Sequence, residues 1–114
     1  MTLNEYQKIA ARTDVFDSTD YNVHDPAYVA KILGLVGEAG EVADKYKKII
    51  RDKQGKVSTS DRQNILRELG DVLWYVALLA KYLGVPLEIV AQTNIDKLQT
   101  RSQRGTLHGS GDER

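Results

Sequence analysis

The sequence predicts an all-α fold: a single domain of four helices in a bundle-like arrangement, its core completed by oligomerisation. Three observations predict it. Apolar residues recur every three or four positions in four separate segments. Stretches rich in Gly, Pro, Ser, Asp and Asn, which break helices, separate those segments. No segment alternates apolar with polar residues as a half-buried strand does, and no internal repeat stands out.

The first helix is expected from Leu3 to Arg12, with Tyr6, Ile9 and Ala10 on one face and Thr2 or Asn4 as its cap. Thr13 to Asp25 is polar and reads as a loop. Asp25 suits a cap and Pro26 a first turn, opening a long helix to about Asp52. Its apolar stripe runs from Val29 and Ile32 through Val36, Val42 and Tyr46 to Ile50. Lys45, Lys47, Lys48 and Arg51 crowd its last turns, where cations favour the helix dipole. After the break at Gln54-Gly55-Lys56, one of Ser58, Thr59 and Ser60 caps a third helix. That helix ends at Leu83, before Gly84 and Pro86, and its stripe centres on Leu69. A fourth runs from Pro86 to about Arg101 with Leu87, Val90, Ile95 and Leu98 on it. Residues 1–101 therefore form the domain, and 102–114 a flexible Gly/Ser-rich tail.

Composition excludes several function classes. With 114 residues the chain holds one core. Lys+Arg and Asp+Glu balance at 16 each, which argues against electrostatic binding to nucleic acid or anionic membrane. The absence of Cys removes disulfide frameworks, thiolate metal sites and Cys nucleophiles together. The longest apolar run, Val72 to Ala80, is about half a membrane span. The first residues lack the basic-then-apolar layout of a signal peptide. A soluble cytoplasmic protein is expected.

The chemistry lies in two acidic pairs. Gly37-Glu38-Ala39-Gly40-Glu41 and Arg67-Glu68-Leu69-Gly70-Asp71 each space two carboxylates i,i+3 on a helix, so both members point the same way. Both pairs border an apolar stripe, where charge is costly to desolvate unless something neutralises it. Two such helices side by side would offer four carboxylates to one small volume. All-oxygen ligation of that kind suits a hard cation, Mg²⁺ or Mn²⁺. Gly34, Gly37, Gly40 and Gly70 each cost about 1 kcal/mol relative to alanine within a helix. Close helix approach and room for a ligand both account for them.

The segments Gly34-Leu-Val-Gly-Glu38-Ala-Gly-Glu41-Val-Ala-Asp-Lys45 and Glu68-Leu-Gly-Asp71-Val-Leu-Trp-Tyr75 resemble the MazG-like nucleotide pyrophosphohydrolases, as does Asn94-Ile-Asp-Lys97-Leu98-Gln-Thr-Arg101. The resemblance implies an all-α fold and Mg²⁺-dependent hydrolysis of a nucleoside triphosphate to monophosphate and pyrophosphate. It also implies a homodimer or larger assembly, such as a homotetramer. By the same resemblance Glu38, Glu41, Glu68 and Asp71 are metal ligands, and Lys45, Asn94, Lys97 and Arg101 contact phosphate or nucleotide. Glu38 or Glu41 is the group expected to activate the attacking water. Lys45 also reads as a cation at a helix C-terminus. Trp74 is expected to pack in the bundle or a subunit interface rather than to stack on a base, and His24 to be exposed. The tail is read as disordered, with a fold over a neighbour's phosphates as its alternative. The competing function is a noncatalytic helical interaction module that retains the fold. A ferritin-like di-iron bundle needs Glu-x-x-His pairs, and neither His24 nor His108 follows a Glu by three.

Overall fold

Local chemistry sets the helix boundaries in the computed structural model, which describes residues 1–112; the last two tail residues lie outside the described residues. Thr2 and Glu5 form a capping box at the start of α1 (Leu3–Ala11). Asp25 accepts a hydrogen bond from the Ala27 N–H and Pro26 fills the first turn of α2 (Pro26–Lys53). Ser58 and Asp61 form a second capping box opening α3 (Thr59–Tyr82). α2 stops where Gln54 turns left-handed (φ 55°) and Gly55 follows it there (φ 79°). α4 (Leu87–Gln103) has no side-chain cap of its own. Instead α1 supplies one: the Leu87 N–H donates to Gln7 Oε1 and the Glu88 N–H to Asn4 Oδ1, both at 3.0 Å. The four helices appear in the expected order, and no strand occurs among the described residues.

α2 and α3 lie antiparallel. Lys53 meets Asp61 at 2.8 Å, Lys45 meets Glu68 at 3.5 Å, and the Lys31 ammonium lies 5.6 Å over the Tyr82 ring. α1 packs on α3, where the Gln7 amide donates to the carbonyls of Ala77 and Val85 at 3.1 and 3.0 Å. α4 leaves α3 at a bend of 101° and contacts α1 and α3 but not α2. Tyr28, Leu78, Tyr82 and Leu87 form the core with Ala10, Ala77 and Ala80, and Trp74 packs against it. Trp74 Nε1 donates to Thr13 Oγ1 at 2.7 Å, so this indole packs within the chain as one of its two expectations had it.

The apolar stripes differ from expectation. Leu35, Glu38, Val42, Lys45 and Ile49 of α2 and Ile65, Glu68, Val72 and Tyr75 of α3 are buried or half-buried. Ile32, Val36 and Ile50 of α2 and Leu66, Leu69 and Leu73 of α3 are exposed. Leu69, expected at the stripe centre, is 48% exposed. The apolar arc on each helix is wider than one helix contact, and within the chain α2 has only α3 to lie against. On antiparallel helices the exposed positions fall on one flank, where Tyr46, Leu66 and Leu69 line a common groove. The chain exposes 8042 Å², against about 6,300 Å² for a folded monomer of this mass. Its radius of gyration is 16.9 Å, against about 13 Å for a compact domain of this length. No single helix among the described residues is long and apolar enough to cross a membrane.

Candidate metal centre

The antiparallel register brings the middle of α2 against the middle of α3, and with it the two acidic pairs. One oxygen each from Glu38, Glu68 and Asp71 lies within 4.8 Å of the others. Glu38 and Glu68 are half-buried on the seam, and Asp71 is exposed at its edge. Glu41, the fourth expected ligand, is exposed and stands outside this group of three. Its charge still reaches Glu38. Burial pushes the Glu38 carboxyl above its ordinary range, and the charges of Asp71, Glu68 and Glu41 push it further. Lys45 sits two turns after Glu38 with its ammonium 3.5 Å from Glu68 Oε1.

The donor set fits a hard divalent cation. Every donor is a carboxylate oxygen, and the group lies in a half-buried seam where unneutralised charge is costly. Oxygens on opposite sides of an octahedral Mg²⁺ stand about 4.2 Å apart at ligand distances near 2.1 Å. The three donor oxygens lie within 4.8 Å of one another, a bound about 0.6 Å above that span.

Tyr75 closes the seam beside the acids. A Cβ on Gly34 would meet Tyr75 Cε1 at 2.2 Å and Cζ at 2.3 Å, so the ring lies directly on the α2 backbone. That contact falls one turn before Glu38 on α2 and one turn after Asp71 on α3. Of the two reasons for the helical glycines, close approach thus accounts for Gly34, whereas Gly37, Gly40 and Gly70 face open space. Gly34→Ala is expected to lose about 1 kcal/mol, since overpacking of about 1–3 kcal/mol exceeds the gain in helix propensity. Gly40→Ala is expected to gain up to about 1 kcal/mol. Urea midpoints of the two variants check this contrast.

Two neighbours of the site were not legible in the sequence. Tyr6 of α1 is half-buried, and burial together with the charge of Asp71 raises its phenol pKa. It reads only as part of an apolar stripe, and nothing local links α1 to Asp71. Lys31 is buried two turns before Glu38 on the same α2 face, paired with Asp14 at 2.7 Å. The stripe read along α2 leaves Lys31 out, and its partner Asp14 lies in a loop. His24 is exposed, as expected.

The α4 residues do not join the carboxylates of their own chain. Asn94 and Lys97 are exposed and Arg101 is buried at the far end of α4. With 1.5 Å per residue along each helix and the 101° bend between them, Lys97 stands roughly 20 Å from Asp71. Lys97 and Arg101 instead meet Asp112, at 3.7 and 3.6 Å.

The sequence model of the MazG nucleotide pyrophosphohydrolase domain matches residues 28–106. The chain belongs to the MazG family. The match spans α2, α3 and α4, and so takes in both acidic pairs. This MazG domain is 46% identical to the Gene 37 protein of Mycobacterium phage L5 over 116 residues, covering 100% of both chains. It is 36% identical to the uncharacterized protein YvdC of Bacillus subtilis strain 168 over 72 residues, 59% of this chain and 68% of that one. No solved structure matches it significantly. Membership of the family implies a metal-dependent nucleotide pyrophosphohydrolase, and a carboxylate cluster lies on the α2–α3 seam within the matched residues.

Proposed function

We propose that this MazG domain hydrolyses nucleoside triphosphates, ribo- or deoxyribo-, to the monophosphate and pyrophosphate, with Mg²⁺ (or Mn²⁺ in its place) held by Glu38, Glu41, Glu68 and Asp71. The observation that carries this reading is the convergence of Glu38, Glu68 and Asp71 within 4.8 Å in a chain of this family. When bound, the cation neutralises phosphate oxygens and polarises the scissile anhydride. The protein's own part is to orient water and accept its proton. Glu38, whose proton affinity is raised, suits that role, with Glu41 one turn away as its neighbour. Lys45 is placed beside Glu68 to turn its ammonium toward a phosphate oxygen.

Asn94, Lys97 and Arg101 contact the nucleotide in this reading. Because they stand far from the carboxylates of their own chain, those contacts belong to the assembled oligomer. A second copy covers the exposed flank of Ile32, Val36, Leu66 and Leu69 in a homodimer or homotetramer. The surface in excess of a compact monomer, roughly 1,700 Å², is of the size one subunit contributes to an obligate interface. Sedimentation velocity is expected to give at least twice the 12.8 kDa chain mass; a monomer at micromolar concentration would contradict it.

The test is pyrophosphate release from a panel of canonical and modified NTPs and dNTPs, with Mg²⁺ and with EDTA. Metal-dependent release with equimolar monophosphate supports the reading, and the ranking names the base and sugar. A folded protein that releases nothing with either Mg²⁺ or Mn²⁺ would favour the noncatalytic module.

A further inference from the structure

The segment after α4 folds back on the helix. The Thr106 N–H donates to the Arg101 carbonyl at 2.8 Å, and Gly105 and Gly111 take left-handed backbone angles (φ 71° and 87°) that a side chain would oppose. At the far end of this path Arg101 Nη2 donates to the carbonyls of Asp112 and Gly111, at 2.6 and 3.1 Å. The Asp112 carboxylate stands 3.6 Å from Arg101 and 3.7 Å from Lys97. Arg101 is 4% exposed, and its Nε is buried with no hydrogen-bond partner.

That unmet donor sets the site apart from a surface ion pair. A guanidinium is best satisfied side-on, by an oxyanion accepting from Nε and Nη2 together. The tail serves Nη2 and leaves Nε unmet. The Asp112 carboxylate is 91% exposed at more than 3.5 Å, a contact of the weak, solvent-screened kind. Lys97 adds a second positive charge one turn away. An anion of higher charge with more acceptors than the tail supplies, such as a phosphate group, would satisfy both side chains.

We propose that residues 105–112 are a self-docked pseudo-ligand of an oxyanion site formed by Lys97 and Arg101, and that a phosphate-bearing ligand displaces them. The proposal rests on the assignment of Lys97 and Arg101 to phosphate contact. Its consequence is regulatory: the tail competes with phosphate, so it weakens apparent affinity and leaves the chemical step alone.

The experiment is calorimetric titration of inorganic pyrophosphate, free of metal, into the wild-type chain, Asp112→Asn and Gly111→Val. The first substitution removes the tail's charge, while the second puts a β-branched residue at a left-handed position and undocks the path. Binding is expected to tighten about 3-fold and about 10-fold respectively. The gain is expected to vanish when Arg101→Gln is added, or Lys97→Gln at an exposed position if the buried substitution unfolds the chain. Trypsin cleavage after Arg104 is expected to quicken when pyrophosphate is present. Equal affinity in all three chains, or weaker binding in the tail variants, would overturn the proposal. The readout needs neither metal nor turnover, so a chain inactive on every nucleotide can still show the competition, and an active one can lack it.

Discussion

Replacing Asp14 by alanine is expected to cost about 3–5 kcal/mol of stability, because it strands a buried lysine without its counter-ion. The Asp14 and Lys31 side chains are 1% and 5% exposed and meet at 2.7 Å. Lys31 also donates to the Phe16 carbonyl at 2.7 Å, and its ammonium faces the rings of Phe16, Trp74 and Tyr82 at 5.6–5.8 Å. The Tyr82 hydroxyl donates to the other Asp14 oxygen. This cluster ties the Thr13–Asp25 loop to α2 and α3, one end of the seam that carries the acids. Against a total of about 5–15 kcal/mol for a small domain, the loss is large enough to unfold a sizeable fraction of molecules on mild warming. Urea denaturation measures it, and a cost under about 1 kcal/mol would show that the pair is not buried in solution. The double replacement Asp14→Ala with Lys31→Met is expected to recover much of the loss, since no charge is then left stranded. The pH dependence has a definite sign. Burial works to raise the Asp14 carboxyl, but hydrogen bonds from Lys31 and Tyr82 and the Lys31 charge hold it below its ordinary value. Its contribution is therefore present above the usual carboxylate range and is lost as pH falls through the depressed value. Wild-type stability should drop on acidification more steeply than that of the double variant.

Glu68→Gln is expected to lower turnover of nucleoside triphosphate by more than about 100-fold, since outer-sphere partners of metal ligands alone cost about 10–100-fold. The substitution keeps shape and removes only the charge that faces Glu38 and Lys45. It also removes one of the like charges that raise the Glu38 carboxyl, so the fold should be no less stable. Steady-state kinetics beside a denaturation curve separates the two effects. Lost turnover in a chain of undiminished stability assigns Glu68 to the reaction, whereas retained turnover removes it from the site.

What was legible in the sequence was local. Capping boxes at Thr2 and Ser58 and the Asp25-Pro26 start are chemistry within three residues, so helix boundaries follow from composition. Glu38, Glu68 and Asp71 were legible as a group because i,i+3 spacing sets rough direction on each helix and a short turn makes the two helices antiparallel neighbours, whereas Glu41 stands exposed outside them. Periodicity says that a face is apolar but not what covers it. Leu66 and Leu69 were therefore expected inside, whereas Glu38, Lys45 and Glu68 hold the seam between them. The departure of α4 from α3 depends on how Gln7 and Asn4 cap it from α1, a contact across some 80 positions of chain. The burial of Lys31 likewise depends on Asp14, in a stretch that reads as an ordinary polar loop.

Titration of Mg²⁺ into the metal-free protein, wild type against Glu68→Gln, tests the central claim most directly. The wild type is expected to bind, and to bind more tightly as pH rises, because Glu38 must give up a proton that its surroundings hold above the ordinary carboxylate range. Glu68→Gln is expected to lose that binding together with its pH dependence. Equal binding by both proteins, or binding by neither, would contradict the claim that the carboxylates on the α2–α3 seam hold a metal in this MazG domain.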